Sequence, residues 1–93
     1  MIRSFRDRET ELTFSGRRSR RLPPEIQASA FRKLILIDLT DAVDQLRVPP
    51  GNRLEALAGD RAGEHSIRIN DQWRICFRWD EGNAYEVEIT DYH

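Results

Sequence analysis

The chain has 93 residues and a mass of 10.9 kDa, with 39% apolar and 33% charged residues, which predicts one domain over residues 1–93 around one small core. Its longest apolar run, Leu34 to Ile37, falls far short of the roughly 20 residues a membrane-spanning helix needs. The lone Cys76 excludes an internal disulfide and a Cys-rich zinc site. No apolar leader precedes Arg6, so the expected compartment is the cytoplasm, with no membrane partner. Net charge is only −1, yet residues 1–33 hold nine cations against four carboxylates and the remainder six against twelve. Global charge therefore gives no footprint for free nucleic acid, while individual arginines retain a fork that matches phosphate.

Ile2 to Phe5 alternates apolar and polar and predicts a short edge strand. Asp7 caps a short helix carrying Leu12 and Phe14, which stops at Gly16. Arg17 to Arg21 is a cationic loop, and Pro23-Pro24-Glu25 starts a second helix. Ile26, Ala30, Leu34 and Ile37 recur at helical spacing and carry that helix to about Leu39. A further turn carries Val43 and Leu46 before Pro49-Pro50-Gly51-Asn52 breaks the pattern. The period then changes to two. Strands are predicted over Arg53–Leu57 and His65–Ile69, separated by a loop at Gly59–Gly63. Beyond a turn at Asn70-Asp71, Gln72 included if its loop has three residues, Trp73, Ile75, Phe77 and Trp79 alternate with Arg74, Cys76 and Arg78. After a turn at Asp80–Asn83, Tyr85, Val87 and Ile89 alternate with Glu86, Glu88 and Thr90. The predicted fold is α+β in two layers, with N-terminal helices packed on one face of a small antiparallel sheet.

The polar face of that sheet carries the candidates for chemistry. Arg68, Arg74 and Arg78 share it with Glu86 and Glu88. Two readings stand: cross-strand ion pairs on a solvated surface, or a phosphate-binding surface that meets the charge of a phosphoryl transition state. Asp91-Tyr92-His93 likewise reads either as a solvated tail or as an acid–base imidazole beside a ring that stacks a base. His65 is expected to be a charged or hydrogen-bonded surface residue, and the two histidines carry no metal-ligand spacing. Cys76 reads as a small strand residue whose cationic neighbours would lower its thiol pKa. Ser66 lacks the setting of a nucleophile.

Four segments together resemble one family: Met1–Phe5, the block Arg53-Leu54-Glu55-Ala56-Leu57-Ala58-Gly59-Asp60-Arg61, the block from Ser66 to Phe77, and the terminal Asp91-Tyr92-His93. They resemble the HigB toxins of the RelE superfamily of plasmid-maintenance killer proteins, across the whole chain. That resemblance implies a RelE-like α+β fold and a type II toxin paired with a HigA-like helix-turn-helix antitoxin, touching operator DNA only through that antitoxin. It implies a ribosome-dependent endoribonuclease that cuts mRNA in the ribosomal A site, with no cofactor and no metal. The 2′-hydroxyl would attack the adjacent phosphate and the 5′-oxygen would leave. Arg74 would hold the phosphate, His93 would be the acid or base, Tyr92 would stack on or orient a base, and Asp91 would orient its neighbours. Gln72, Arg68 and Arg61 are carried with them as RNA-binding residues, Arg68 on strand alternation alone.

The chain departs from the family pattern at Glu55, where many HigB toxins have histidine, at Ala58, where they have lysine, and at Glu64 and His65, where aromatics are common. Glu55 reads equally as a substitute general base or as a surface carboxylate. These departures motivate a second hypothesis, a catalytically weak RelE-fold binding protein acting in an autoregulatory antitoxin complex. A third is a nuclease acting on free RNA.

Overall fold

The computed structural model describes residues 1–91. Helix α1 spans Arg8–Phe14, and the Asp7 carboxylate accepts from the Thr10 amide at 2.7 Å, satisfying one of the amides that a helix start leaves open. At its other end Gly16 takes φ +80°, and the amides of Gly16 and Arg17 reach back to the Thr13 and Leu12 carbonyls. That paired closure requires a left-handed residue, which glycine supplies without a Cβ clash. Helix α2 spans Pro24–Leu39 and buries Ile26, Ala30, Leu34 and Ile37, the four positions that the sequence period selects. A 3₁₀ turn at Val43–Arg47 buries Leu46, and a second follows at Pro50–Asn52.

The sheet has the order β1-β2-β3-β4 and is antiparallel throughout, with β1 at Glu55–Ala56, β2 at Glu64–Arg68, β3 at Trp73–Asp80 and β4 at Asn83–Asp91. Strand β1 is shorter than the predicted Arg53–Leu57. Arg53 closes the preceding 3₁₀ turn in the left-handed region, at φ 46°, and cannot be extended there. The β2–β3 connection closes with the Ile69 amide on the Trp73 carbonyl at 2.8 Å. Asn70 Oδ1 accepts the amides of Gln72 and Trp73, so the loop has three residues and Gln72 belongs to it. Glu81 and Gly82 both take positive φ between β3 and β4, the geometry that matches strand twist in a two-residue hairpin.

Residues 2–5 lie beside the outer edge of β4. Ile2 and Phe5 form parallel bridges to Ala84 and Val87, which places the predicted edge strand without giving it a full ladder. The core between helices and sheet contains Leu34, Ile37, Leu46, Ile67, Ile75, Phe77, Ala84 and Val87, all fully buried. Tyr85 does not join Val87 and Ile89 on the apolar face as the alternation predicts. The ladder shifts register between Cys76 and Arg78, opposite Tyr85 to Glu88, and Glu86 takes φ 53°. This bulge inserts one residue and reverses the facing of everything before it. Ala84 therefore takes the core position, and the Tyr85 ring lies 4.7 Å from the Arg78 guanidinium carbon on the opposite face. Among the described residues no helix is long and apolar enough to cross a membrane.

Candidate active site

The open face of the sheet, away from α1 and α2, carries two clefts that share one wall. The first, of ≈ 300 Å³, is lined by Arg53, Glu55, Arg68, Asn70, Asp71 and Arg74. The second, of ≈ 270 Å³, is lined by Leu57, Arg61, Ser66, Arg74, Cys76, Thr90 and Asp91. Arg74 lies in both. Its position follows from register: β3 pairs Arg74 with Arg68 on one side and with Thr90 on the other.

Of the two readings of the polar face, the solvated one does not describe Arg74. It is buried to 5% exposure. Its Nε donates to Ser66 Oγ at 2.9 Å, and one terminal nitrogen donates to the Arg53 carbonyl, also at 2.9 Å. The other terminal nitrogen faces Glu55 at 3.7 Å. Two of these contacts are neutral acceptors, so they fix the plane of the guanidinium without cancelling its charge. The Arg53 carbonyl points at Arg74 because Arg53 turns left-handed. That corner is anchored in turn by Asn52, which is fully buried, donates to the Leu46 and Val48 carbonyls, and accepts from Lys33 on α2. Burial, aided by Arg32, lowers the pKa of the Lys33 amine below the usual lysine value.

The other cations of this face are held differently. Arg61 donates to Glu64 at 2.9 Å and to Glu88 at 2.6 Å, and its bond to Glu88 raises its pKa above the ordinary arginine value. Arg6 spans Glu64, Glu86 and Glu88 at 3.2–3.6 Å. Arg78 lies 3.7 Å from Glu86, and Arg68 pairs with Asp71. Charge on this part of the face is thus largely compensated, as the cross-strand reading expected. Arg74 differs in being buried, with half-exposed Glu55 facing it at 3.7 Å.

The described candidates converge on this pair of clefts. Glu55 and Arg68 line the first, and Arg61 and Asp91 the second, while Gln72 donates to Asp91 at 3.0 Å. Tyr92 and His93 lie outside the described residues. Two contributors escaped the sequence reading. Ser66, dismissed as a nucleophile, is instead an acceptor for Arg74, and its signal was available: alternation puts it on the face of Arg68 and Arg74. The Arg53 carbonyl carried no signal, because a left-handed arginine has no sequence signature. His65 is not a hydrogen-bonded surface residue. It sits half-buried, stacked on Phe77 with ring centroids 6.2 Å apart, and its Nδ1 has no partner among the described residues. Among the described residues no group of three His, Cys, Asp or Glu side chains is placed to hold a metal ion.

Cys76 also departs from expectation. Burial raises its thiol pKa, outweighing the opposing influence of Arg61 and Arg74. A thiol held protonated is a poor nucleophile. Maleimide labelling of the folded protein at mildly alkaline pH is expected to be about tenfold or more slower than of the unfolded chain. The raised pKa means that the folded state holds this proton more tightly than the unfolded state. Its contribution to stability is therefore complete below the ordinary thiol pKa and is lost as pH rises through the folded value. Equal labelling rates in native and denaturing buffer would contradict the burial.

Helices on one face and a guanidinium-centred pair of clefts on the other define a RelE-like α+β protein. Residues 3–93 match the family of HigB-like toxins, described as RelE-like toxins of the type II toxin–antitoxin system HigB, and the chain belongs to that family. It is 41% identical to Toxin HigB-1 of Vibrio cholerae serotype O1 over 93 residues, covering 99% of this chain and 98% of that protein. It is 31% identical to Endoribonuclease HigB of Proteus vulgaris over 93 residues and the full length of both. An uncharacterised Haemophilus influenzae protein is 32% identical over 73 residues, 78% of this chain and 71% of that one. Membership of a type II toxin–antitoxin family implies an antitoxin partner.

Proposed function

We propose that this chain is an endoribonuclease toxin that cuts mRNA in the ribosomal A site, in the cytoplasm, through the site centred on Arg74. The observation that carries the reading is the buried Arg74 guanidinium, oriented by neutral acceptors and shared by two clefts that bring Glu55 to one side and Asp91 to the other. A phosphodiester cleaved by its own 2′-hydroxyl needs no separate nucleophile. The 2′-oxygen bonds to phosphorus, the bond to the 5′-oxygen breaks, and the products are a 2′,3′-cyclic phosphate and a free 5′-hydroxyl. Three demands remain: a base for the 2′ proton, a cation for the phosphoryl oxygens, and an acid for the leaving oxygen. Glu55 is assigned the first, Arg74 the second and His93 the third. Tyr92 stacks on a base, Asp91 orients its neighbours, Gln72 helps position the RNA, and Arg68 and Arg61 supply outer phosphate contacts. No step requires a resident metal, because the guanidinium carries the phosphoryl charge.

The net charge of −1 gives little nonspecific affinity for phosphate backbones, which favours a substrate presented by the ribosome over free RNA. The antitoxin is assigned as a HigA-like helix-turn-helix protein, through which the complex reaches operator DNA. Mapping of mRNA 5′ ends after induction tests the reading. New cuts in phase with codons are expected, and purified protein is expected to cut only when ribosomes are present. Soluble protein that produces no new ends would leave a binding protein acting in an autoregulatory complex.

Ser66→Ala offers a finer check. It removes the Nε acceptor of Arg74 while leaving the charge in place. Single-turnover cleavage is expected to slow by about tenfold, the cost of one lost hydrogen bond to a charged group, with KM little changed. Ser66→Thr, which keeps the hydroxyl, is expected to restore most of the rate. Equal rates in Ser66→Ala and the parent would remove Ser66 from the site.

A further inference from the structure

The helical layer carries a second, differently built surface. Four guanidinium groups, those of Arg17, Arg18, Arg20 and Arg21, stand exposed on the α1–α2 loop, and none has a side-chain partner among the described residues. On the sheet face, by contrast, Arg6, Arg61, Arg68, Arg74 and Arg78 are all engaged. The backbone beneath the loop is nevertheless firmly held. Ser19, only 3% exposed, donates its hydroxyl to Glu9 at 2.5 Å and accepts the amides of Arg21 and Leu22. Gln27 of α2 accepts from the Ser19 amide and donates to the Ser19 and Leu22 carbonyls. A loop needed only for solubility has no use for such anchoring, whereas a binding surface gains affinity from preorganisation.

Beside these cations runs a groove of ≈ 330 Å³ between α1 and α2, where Arg17 and Arg18 flank Thr13, Ala28 and Phe31. Phe31 is 37% exposed. The neighbouring polar side chains are already spent: the Gln27 amide on Ser19 and Leu22, and the Thr13 hydroxyl on the Glu9 carbonyl. The floor of the groove at Ala28 and Phe31 therefore offers an apolar surface, and its free donors are the arginines at the rim. An aliphatic or aromatic side chain needs no such groups, and carboxylates flanking it would meet unpaired arginines at the rim.

We propose that this groove is the docking site for an acidic segment of the antitoxin, which seats an apolar anchor on Phe31 and pairs its carboxylates with Arg17 and Arg18. The inference rests on membership of the toxin–antitoxin family and not on the nuclease assignment. A binding measurement therefore distinguishes its failure from failure of the Arg74 site. Affinity for the purified antitoxin would be measured by calorimetry for the parent, for Arg17→Glu/Arg18→Glu, for the milder Arg17→Ser/Arg18→Ser, and for Phe31→Ala. Arg47→Glu, on the Val43–Arg47 turn, serves as the charge control. The charge-reversed and Phe31 variants are expected to bind about tenfold or more weakly, and Arg47→Glu like the parent. High salt is expected to erase most of the arginine effect and little of the Phe31 effect. Folded loop variants that bind antitoxin as tightly as the parent would overturn the proposal. So would variants that keep antitoxin affinity but lose binding to ribosomes, which would assign the loop to ribosomal RNA.

Discussion

Arg74→Ala is expected to slow cleavage of ribosome-bound mRNA by about 10²–10³-fold, the usual cost of removing one donor aimed at a developing oxyanion, and to release expressing cells from growth arrest. The guanidinium is the wall common to both clefts, and the half-exposed Glu55 faces it at 3.7 Å. No neighbouring arginine can replace it, since Arg61 and Arg68 are held by carboxylates of their own. The fold is expected to survive. The change leaves the Ser66 hydroxyl and the Arg53 carbonyl without this donor, at about 1–3 kcal/mol each, but it also removes the cost of burying a charge. Arg74→Lys keeps the charge and loses the fork, and is expected to fall between the parent and alanine. Denaturant unfolding measured beside the cleavage rate separates chemistry from stability. A folded Arg74→Ala protein that cuts at the parental rate would sink the assignment.

His93→Ala is expected to cost about 10²–10⁴-fold in the cleavage step, the range for loss of a positioned general acid. His93 follows Asp91 by two residues, and Asp91 is a wall of the second cleft. The informative readout is the pH profile. An imidazole acting as acid gives the parent a limb near neutral pH, and the variant is expected to lose that limb while Arg74 continues to bind substrate. A variant that keeps both the limb and the rate would transfer the acid role elsewhere. Antitoxin binding is expected to be unaffected.

Local patterning accounts for most of the fold. The Asp7 cap, the Gly16 stop, the Pro24 start and the period of Ile26, Ala30, Leu34 and Ile37 are each decided by neighbours within a turn or two, so the sequence displays them directly. The departures are non-local. The bulge that turns Tyr85 outward sits at Glu86, whose amide donates to Ser4 Oγ at 2.8 Å and whose carboxylate faces Arg6. Nothing between Tyr85 and Val87 announces it, because its supports lie some eighty residues away. The site divides in the same way. Alternation placed Arg68, Arg74 and Cys76 on one face, but Arg74 is held by the corner at Arg53, beside Asn52, which Lys33 reaches from α2. Ion pairing of Arg61 with Glu88 spans 27 positions and was equally invisible. The identities of the candidates could be read from the chain, whereas the state of each charge could not.

The parallel bridges from Ile2 to Ala84 and from Phe5 to Val87 also bear on biosynthesis. Joining the chain's first few residues to its final strand closes a loop of more than eighty positions, among the most entropically demanding contacts a chain of this length can make. A nascent chain that has reached only Asp80 lacks β4, the core residues Val87 and Ile89, and the Asp91 wall. One strand thus completes both the packing of the core and the wall of the second cleft, so the site forms only when the fold does.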